Sequence, residues 1–349
     1  MIENVQYRVL GVMSGTSLDG VDLTICTFTK TNKWAFEIIK SETVKYSSLW
    51  KKTLAELHLG NEKDITQTNK DYGRFLGDII SSFLSREKVD FIATHGHTIF
   101  HDPSNNYTLQ IGCAKTISEK TKTTTINDFR SLDVSLSGQG APLVPIGDLH
   151  LFSDFKYCIN LGGFANISIK EGSNSIKAFD ICPVNIVMNK ISQKLGLEFD
   201  ESGEIAERGK LIPGLLIKFN KLKFYKKNAP ESLSREWVEK FINPLILEEY
   251  KYEDILHTFC EHVALQIGMF LKDKSALFTG GGVFNIYLMS RIKHHSRSKI
   301  IIPSKDIINF KEALIFGFLG VLRVRNEVNC LKSVTGAKHD NCGGIIHKY

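Results

Sequence analysis

The chain has 349 residues, of which 42% are hydrophobic and 23% charged, and its formal net charge at pH 7 is +6. This composition is that of a globular protein and excludes the disordered class. At about 150 residues per domain, the length predicts two domains. No apolar run approaches the roughly 18 residues of a transmembrane helix, and Glu3, Gln6 and Arg8 interrupt the pattern of a secretory signal. We therefore expect a cytoplasmic protein with no membrane partner.

The cysteines, lysines and histidines do not follow the patterns of metal or nucleic-acid sites. The seven cysteines are scattered without a C-x-x-C pair, which predicts reduced thiols. The lysine-rich stretch 218–227 is interpreted as a solvated face, and no nucleic-acid partner is expected. His95, His97 and His101 lack carboxylate or cysteine partners at ligand spacing, so we interpret them as hydrogen-bonded loop histidines and predict no protein metal site.

The first half of the chain begins with strands and continues with helices. The apolar pattern predicts strands at 5–13, 21–28 and 34–46, helices at 48–59 and 69–86, and a buried strand at 89–94. The first two strands are joined by the turn SGTSLDG. There Gly15 and Gly20 would let the backbone take positive φ and approach a ligand without interference from a Cβ.

The second half repeats this arrangement. Its pattern predicts strands at 157–161, 167–170 and 177–181, a helix at 184–195, a strand at 276–278, a helix from about 284, a strand at 299–302 and a helix at 310–325. An apolar strand, a glycine-rich turn and a returning strand thus occur twice, about 150 residues apart. We predict one domain at 1–135, joined by part of the C-terminal segment, and a second at 136–349. Alternating helices and strands with early hairpins indicate an α/β fold with mixed sheets.

Three glycine-rich turns follow apolar strands and could bind phosphate. In the first, at 15–22, successive backbone N–H groups and the hydroxyls of Thr16 and Ser17 would form an anion site. Asp19 and Asp22 would repel a bare phosphate, so Mg²⁺ or its water is expected there. Each turn alone could be an ordinary hairpin turn, but the three together, with 162–163 and 280–282, favour nucleotide binding. The P-loop, the dinucleotide-binding fingerprint and the G-x-S-x-G elbow are absent from the sequence.

The segment GVMSGTSLDGVD at 11–22 resembles the N-terminal signature of the anhydro-N-acetylmuramic acid kinases. Further matching blocks follow in order over nearly the whole chain: THGHT at 94–98, NDFRSLDV at 127–134, GQGAPLVP at 138–145, NLGGFANIS at 160–168, FDICPVN at 179–185, TGGGVFN at 279–285 and VTGA at 334–337. The resemblance implies the actin/hexokinase/heat-shock-protein ATPase fold. That fold consists of two duplicated ribonuclease-H-like domains, with mixed sheets flanked by helices and ATP in the cleft between them.

The reaction implied by the resemblance is an ATP-dependent, Mg²⁺-dependent step in peptidoglycan recycling. Water opens the 1,6-anhydro ring of 1,6-anhydro-N-acetylmuramic acid while O6 takes the γ-phosphoryl group, giving N-acetylmuramic acid 6-phosphate and ADP. The resemblance assigns Asp180 as the catalytic base. It assigns the ATP site to Gly15, Thr16, Ser17, Leu18, Asp19, Gly20, Val21, Asp22, Gly162, Gly163, Gly280, Gly281 and Gly282, and the sugar contacts to Arg130, Gln139 and Glu312. Arg130 would bind the lactyl carboxylate, since guanidinium binds carboxylate in a bidentate manner.

Two departures from the family pattern leave the exact sugar open. Cys182 and Val184 replace two glycines of a G-P-G-N segment, and Ser137 replaces the first glycine of G-G-Q-G-A-P-L. One alternative is a levoglucosan-type kinase, which would need no arginine for a carboxylate. Another is a non-catalytic nucleotide-binding protein, which would be expected to lack Asp180 or the phosphate loop. A glycoside hydrolase would need two carboxylates and no ATP. A homodimer is left open.

Overall fold

The computed structural model describes residues 5–15, 17–172, 175–226, 232–247 and 249–349. The chain forms two compact units. Unit 1 comprises Met1–Leu151 and Phe310–Tyr349, and unit 2 comprises Phe152–Asn309. Each unit has its own sheet and its own buried apolar core.

The secondary structure alternates between strands and helices along the chain. The strands are β1 (Val5–Ser14), β2 (Gly20–Lys30), β3 (Trp34–Lys45), β4 (Phe91–Thr94), β5 (His97–Asp102), β6 (Tyr107–Ile111), β7 (Thr125–Asn127), β8 (Tyr157–Leu161), β9 (Phe164–Lys170), β10 (Ile176–Pro183), β11 (Ser275–Thr279), β12 (Lys299–Ile301) and β13 (Ile345–His347). The α-helices are α1 (Ser48–Glu56), α2 (Glu62–Leu84), α3 (Ala114–Thr121), α4 (Ser131–Ser135), α5 (Pro145–His150), α6 (Asn185–Lys194), α7 (Glu204–Arg208), α8 (Pro213–Asn220), α9 (Arg235–Phe241), α10 (Tyr252–Gly268), α11 (Ile286–His295), α12 (Lys305–Val324) and α13 (Lys332–Thr335).

The main sheets of the two units share one strand order. In unit 1 the order is β13-β7-β4-β1-β2-β3, and in unit 2 it is β10-β9-β8-β11-β12. In each sheet the first three strands of the unit run antiparallel, and the next two ladder strands are parallel to the first. This shared order confirms the predicted fold class of two duplicated, ribonuclease-H-like α/β domains with mixed sheets. Unit 1 adds β13 at its edge, antiparallel to β7.

Unit 1 extends to Leu151, past the predicted limit of residue 135, and it also includes part of the C-terminal segment. Residues 136–151 and 310–349 lie in unit 1. Helix α12 packs directly on β1, since a Cβ at Gly11 would lie 1.9 Å from the carbonyl oxygen of Ala313. Gly147 of α5 also lies close to α12, with Ile315 Cγ1 2.5 Å from the position of a Cβ. These close approaches place both segments with the first sheet.

The longest helix begins earlier than its apolar pattern indicates. α2 starts at Glu62, although a helix was predicted at 69–86. Asn61 and Asp64 form a reciprocal capping box, which satisfies free N–H groups of the first turn and fixes this start. The buried face of α2, including Tyr72, Leu76 and Ile80, packs into the core of unit 1.

The helices of the described ranges are too short or too polar to cross a membrane. All seven cysteines are free thiols, five of them buried.

Candidate functional site

The first glycine-rich turn joins β1 to β2 in unit 1. Neither Gly15 nor Gly20 has a positive φ; in this turn the residue with positive φ is Leu18, at +60°. Gly20 is required by packing instead, because a Cβ there would lie 2.5 Å from the carbonyl oxygen of Val44. At Gly15 the nearest atom to a Cβ would be Ser17 Oγ at 3.5 Å, an ordinary contact. Thr16 lies outside the described residues.

A buried hydroxyl network anchors the start of this turn. Ser14 Oγ lies 2.6 Å from the Tyr46 hydroxyl and 3.1 Å from His97 Nδ1, and it accepts a hydrogen bond from the Tyr72 hydroxyl at 2.8 Å. Burial lowers the pKa of His97 to about 4, so this imidazole is neutral. The network fixes the end of β1 where the turn begins. Its members lie up to 83 residues apart, so local sequence patterns gave no signal for it.

Two carboxylates of the first turn and β2 interact with each other. Asp22 Oδ1 accepts a hydrogen bond of 2.6 Å from the Thr43 hydroxyl. Burial raises the pKa of Asp22, the Thr43 hydroxyl lowers it, and the nearby charge of Asp19 raises it again. Neighbouring negative charges of this kind are stabilised by a cation.

Arg130 is held by two acceptors at the edge of the same unit. Its Nε donates to His95 Nε2 at 3.0 Å, and its Nη1 donates to the carbonyl oxygen of Gly140. Burial lowers the Arg130 pKa to about 10, while the charge of Glu312 raises it, so the guanidinium remains cationic at neutral pH. His95 and His97 are thus hydrogen-bonded, and His101 Nδ1 lies 3.0 Å from the Thr108 hydroxyl.

Glu312 interacts electrostatically with both Arg130 and Asp22. The Glu312 side chain is exposed to solvent. The surrounding protein nevertheless desolvates it enough to raise its pKa; Arg130 lowers that pKa, and Asp22 raises it. Gln139 has an exposed side chain and a fixed backbone, since its N–H donates to the Thr335 carbonyl at 2.8 Å. Unit 1 therefore brings Asp22, Arg130 and Glu312 into one electrostatically coupled group.

The other two glycine-rich turns meet in unit 2, at the carboxyl ends of the parallel strands β8 and β11. Gly280 has a φ of +84°, and a Cβ there would lie 2.6 Å from Asn160 Oδ1. A Cβ at Gly282 would lie 2.7 Å from Leu161 Cβ. The carbonyl of Gly163 accepts the Val184 N–H at 2.8 Å, which ties this turn to the start of α6.

Three glycines in these turns are not required by the protein's own packing. Nothing lies within 4 Å of a Cβ at Gly281, and the nearest atom at Gly163 is Ile186 Cβ at 3.8 Å. Gly15 has similar space, and none of the three has positive φ. Open backbone of this kind allows a ligand to approach the N–H groups closely. Each of these turns could therefore accept a phosphate group.

Asp180 lies on β10 at an irregularity of the sheet. It pairs with Asn166, and the register shifts before Cys182; such bulges redirect side chains and are common beside active sites. Asp180 Oδ2 accepts the Leu233 N–H at 2.8 Å. Burial raises the Asp180 pKa and the Leu233 hydrogen bond lowers it. A carboxylate with a raised pKa is suited to accept a proton near neutral pH.

The departures from the family pattern have simple structural consequences. Cys182 and Val184 have no exposed surface and pack in the core of unit 2. Burial also raises the pKa of the Cys182 thiol, which leaves it unreactive. Ser137 has a φ of +67°, so the chain keeps a glycine-like conformation there without glycine.

The acidic residues near the first turn do not form a complete metal site by themselves. Within the described ranges, no group of three or more His, Cys, Asp or Glu side chains could hold a metal ion by itself. Mg²⁺ usually binds through one or two carboxylates together with water and substrate phosphates. Asp19 and Asp22, in and next to the first glycine-rich turn, fit that mode of binding.

Comparison with known proteins decides the family. The family model described as anhydro-N-acetylmuramic acid kinase matches residues 7–348. The chain is 31% identical to the anhydro-N-acetylmuramic acid kinase of Legionella pneumophila subsp. pneumophila, over 94% of this chain and 95% of the relative. It is 31% identical to that of Actinobacillus pleuropneumoniae serotype 7, over 97% and 98%. The chain belongs to the anhydro-N-acetylmuramic acid kinase family.

Membership of the anhydro-N-acetylmuramic acid kinase family confirms two predictions from the sequence. One is the family itself, and the other is an enzyme of the carbohydrate kinase class. The roles of the individual site residues stay predictions.

Proposed function

We propose that this kinase acts on 1,6-anhydro-N-acetylmuramic acid in the cytoplasm, as a step of peptidoglycan recycling. It uses ATP and water, and the products are N-acetylmuramic acid 6-phosphate and ADP. The observation that carries the proposal is Asp180, a half-buried carboxylate with a raised pKa that a backbone N–H holds at a bulge. A kinase that only transferred phosphate to a free hydroxyl would deprotonate that hydroxyl. In the reaction proposed here, Asp180 instead takes the proton from the attacking water.

Asp180 accepts a proton from water as the water oxygen attacks C1 of the sugar. The C1–O6 bond breaks, and its electron pair remains on O6. O6 then attacks the γ-phosphorus of ATP, and the bond between that phosphorus and the β,γ-bridging oxygen breaks to release ADP. The proton on Asp180 is released to solvent. One water is consumed in each cycle, because its oxygen remains on C1 of the product. Because Leu233 occupies Oδ2, we assign Oδ1 as the oxygen that takes the proton.

Phosphate oxygens would be bound by the backbone N–H groups of the three open glycines, Gly15, Gly163 and Gly281. Asp19 and Asp22 would hold Mg²⁺ directly or through water. When bound, Mg²⁺ would neutralise phosphate charge during transfer. Thr43 keeps Asp22 oriented by its hydrogen bond.

Arg130 supports the muramic sugar over levoglucosan as the substrate. A guanidinium has five N–H groups, and the hydrogen bonds to His95 and Gly140 use two of them. The remaining three could bind the lactyl carboxylate in a bidentate manner. Levoglucosan has no carboxylate, so an unpaired, half-buried cation would be a cost for a site specialised for that sugar. Glu312 and Gln139 are assigned to the sugar hydroxyl or acetamido groups.

The proposal is tested by measuring ADP release with each anhydro sugar in turn. Turnover should be fast with 1,6-anhydro-N-acetylmuramic acid and slow with levoglucosan. With ¹⁸O-labelled water, the heavy oxygen should appear at C1 of the product and not in its phosphate. Label in the phosphate, or faster turnover of levoglucosan, would contradict the proposal.

A further inference from the structure

The orientation of Arg130 depends on side chains that have no assigned role in the reaction. Its Nε and Nη1 groups both donate to acceptors of the protein, so the plane of the guanidinium is defined from two sides. The first acceptor is His95 Nε2, and the second is the Gly140 carbonyl. An arginine has several freely rotating bonds, and holding it in one geometry reduces the entropy lost when it binds a ligand.

His95 can serve as an acceptor only when it is neutral. Its Nδ1 lies 2.9 Å from the Gly96 carbonyl, which has no proton to donate, so we place the imidazole proton on Nδ1. Nε2 is then free to accept from Arg130. Burial lowers the His95 pKa well below its usual value, and the Arg130 charge lowers it further. The ring also packs against Phe316, with 4.7 Å between ring centroids, which fixes its plane.

The second acceptor is fixed by Asp133. This carboxylate is fully buried, and its Oδ2 accepts the Gly140 N–H at 2.8 Å. Its Oδ1 accepts hydrogen bonds from three donors of the C-terminal segment: Thr335 Oγ1 at 2.9 Å, Asn341 Nδ2 at 2.8 Å and Cys330 Sγ at 3.0 Å. Asp133 thus anchors the loop that presents the Gly140 carbonyl to Arg130.

We infer that His95 and Asp133 are positioning residues that orient Arg130 for a carboxylate of the substrate. This inference rests on the proposed function, because Arg130 has a carboxylate partner only if the sugar carries one. Neither residue needs to touch the sugar. Loss of either should therefore weaken binding of a carboxylated anhydro sugar and leave an uncharged one almost unaffected.

The first test compares His95→Phe with His95→Gln in the full-length enzyme. Phenylalanine keeps a planar ring against Phe316 but removes the acceptor, whereas glutamine retains an acceptor oxygen. We expect His95→Phe to raise KM for 1,6-anhydro-N-acetylmuramic acid about tenfold, which corresponds to about 1.4 kcal/mol. KM and kcat for levoglucosan should change less than about twofold, and His95→Gln should restore much of the loss. If His95→Phe fails to fold, His95→Leu removes the acceptor with a smaller side chain.

The second test uses Asp133→Asn, with Cys330→Ala as the matched control. An asparagine at this position has one oxygen and one NH₂ group. The NH₂ group would face either the Gly140 N–H or the donors of the C-terminal segment, and that hydrogen bond would be lost. The control removes one weak donor and leaves Gly140 bound to the carboxylate. We expect a higher KM for the carboxylated sugar with Asp133→Asn, and little change with Cys330→Ala. Melting temperatures of both variants separate a loss of fold from a loss of orientation.

A third variant, Arg130→Ala, distinguishes failure of the positioning inference from failure of the proposed function. Should Arg130→Ala raise KM selectively for the carboxylated sugar while His95→Phe and Asp133→Asn leave it unchanged or affect both sugars equally, the positioning inference is wrong and the proposed function stands. Should Arg130→Ala itself affect both sugars equally, the carboxylate assignment within the proposed function is wrong.

Discussion

The two units use the same hairpin but place their carboxylates on different strands. In unit 1, the second residue pair from the turn is Met13 with Asp22, and Asp22 pairs across to Thr43 on β3. In unit 2, the equivalent pair is Asn160 with Asn166, and Asn166 pairs across to Asp180 on β10. The acid lies on the middle strand in the first case and on the third strand in the second.

This difference shows how one duplicated frame can supply two kinds of chemistry. Asp22 has a hydroxyl partner and a second acid, Asp19, nearby, which suits a cation. Asp180 lies at a bulge and has a single backbone N–H donor, which suits a proton acceptor. Each of the following predictions tests one side of this contrast.

The largest effect is expected from Asp180→Asn. It removes a base without removing a phosphate contact, so kcat should fall by about 10²–10⁴-fold, while ATP affinity measured by calorimetry should change little. Glu239→Gln, an exposed position in the same unit, serves as the control and should keep full activity. A rate above about a third of the wild type would remove Asp180 from the role of base.

The next effect concerns Asp22→Asn and the cation. Losing one charge of the Asp19–Asp22 pair should raise the Mg²⁺ concentration needed for half-maximal activity by about 10–100-fold, as for other residues that support a metal site. At saturating Mg²⁺ much of the rate should return, unlike the rate of Asp180→Asn. Thr43→Val, which removes only the hydrogen bond to Asp22, should have a smaller effect. An unchanged Mg²⁺ requirement in Asp22→Asn would argue against a cation at this turn.

Gly15→Val should weaken ATP binding in a folded protein. The added side chain finds space in the free enzyme but would occupy the open backbone surface of the turn. Overpacking costs about 1–3 kcal/mol, and we expect about a tenfold higher Kd for ATP by calorimetry. Gly214→Val is the matched control, since a Cβ there also meets no atom within 4 Å but lies on α8. Equal ATP affinity in wild type and Gly15→Val would exclude Gly15 from the phosphate site.

The smallest effect, on the pH profile alone, is expected from Leu233→Pro. Proline has no N–H, and its loss removes the donor that stabilises the charged form of Asp180 and lowers its pKa. The Asp180 pKa should therefore rise, and the acid limb of kcat/KM against pH should move to higher pH. Activity well above that limb should be retained. Leu233→Ala keeps the N–H and should leave the limb in place. An equal shift in both variants, or no shift in Leu233→Pro, would contradict this role of Leu233.

Much of the fold could be predicted from local patterns, and each of the two exceptions below has its own physical cause. The long strands β1, β2 and β3 and the two-sided helix α2 have clear periodicity. α10 was not predicted because it is buried on nearly all sides, including Thr258, His262 and Gln266, so it has little polar face to reveal its period. β13 was not predicted because it has three residues and pairs with β7, more than 200 residues away in the chain.

The sequence by itself determined which residues could do the chemistry. The glycine-rich turns follow apolar strands, Asp180 ends a strand pattern, and Arg130 lies in a recognisable block; these are local features that a reader of the sequence can find. Only the tertiary structure decided how they are held. His95 and Arg130 are 35 residues apart, Leu233 and Asp180 are 53 apart, and Asp133 and Asn341 are 208 apart. A hydrogen bond needs two groups within about 3 Å, and over such separations only the path of the folded chain determines which groups meet.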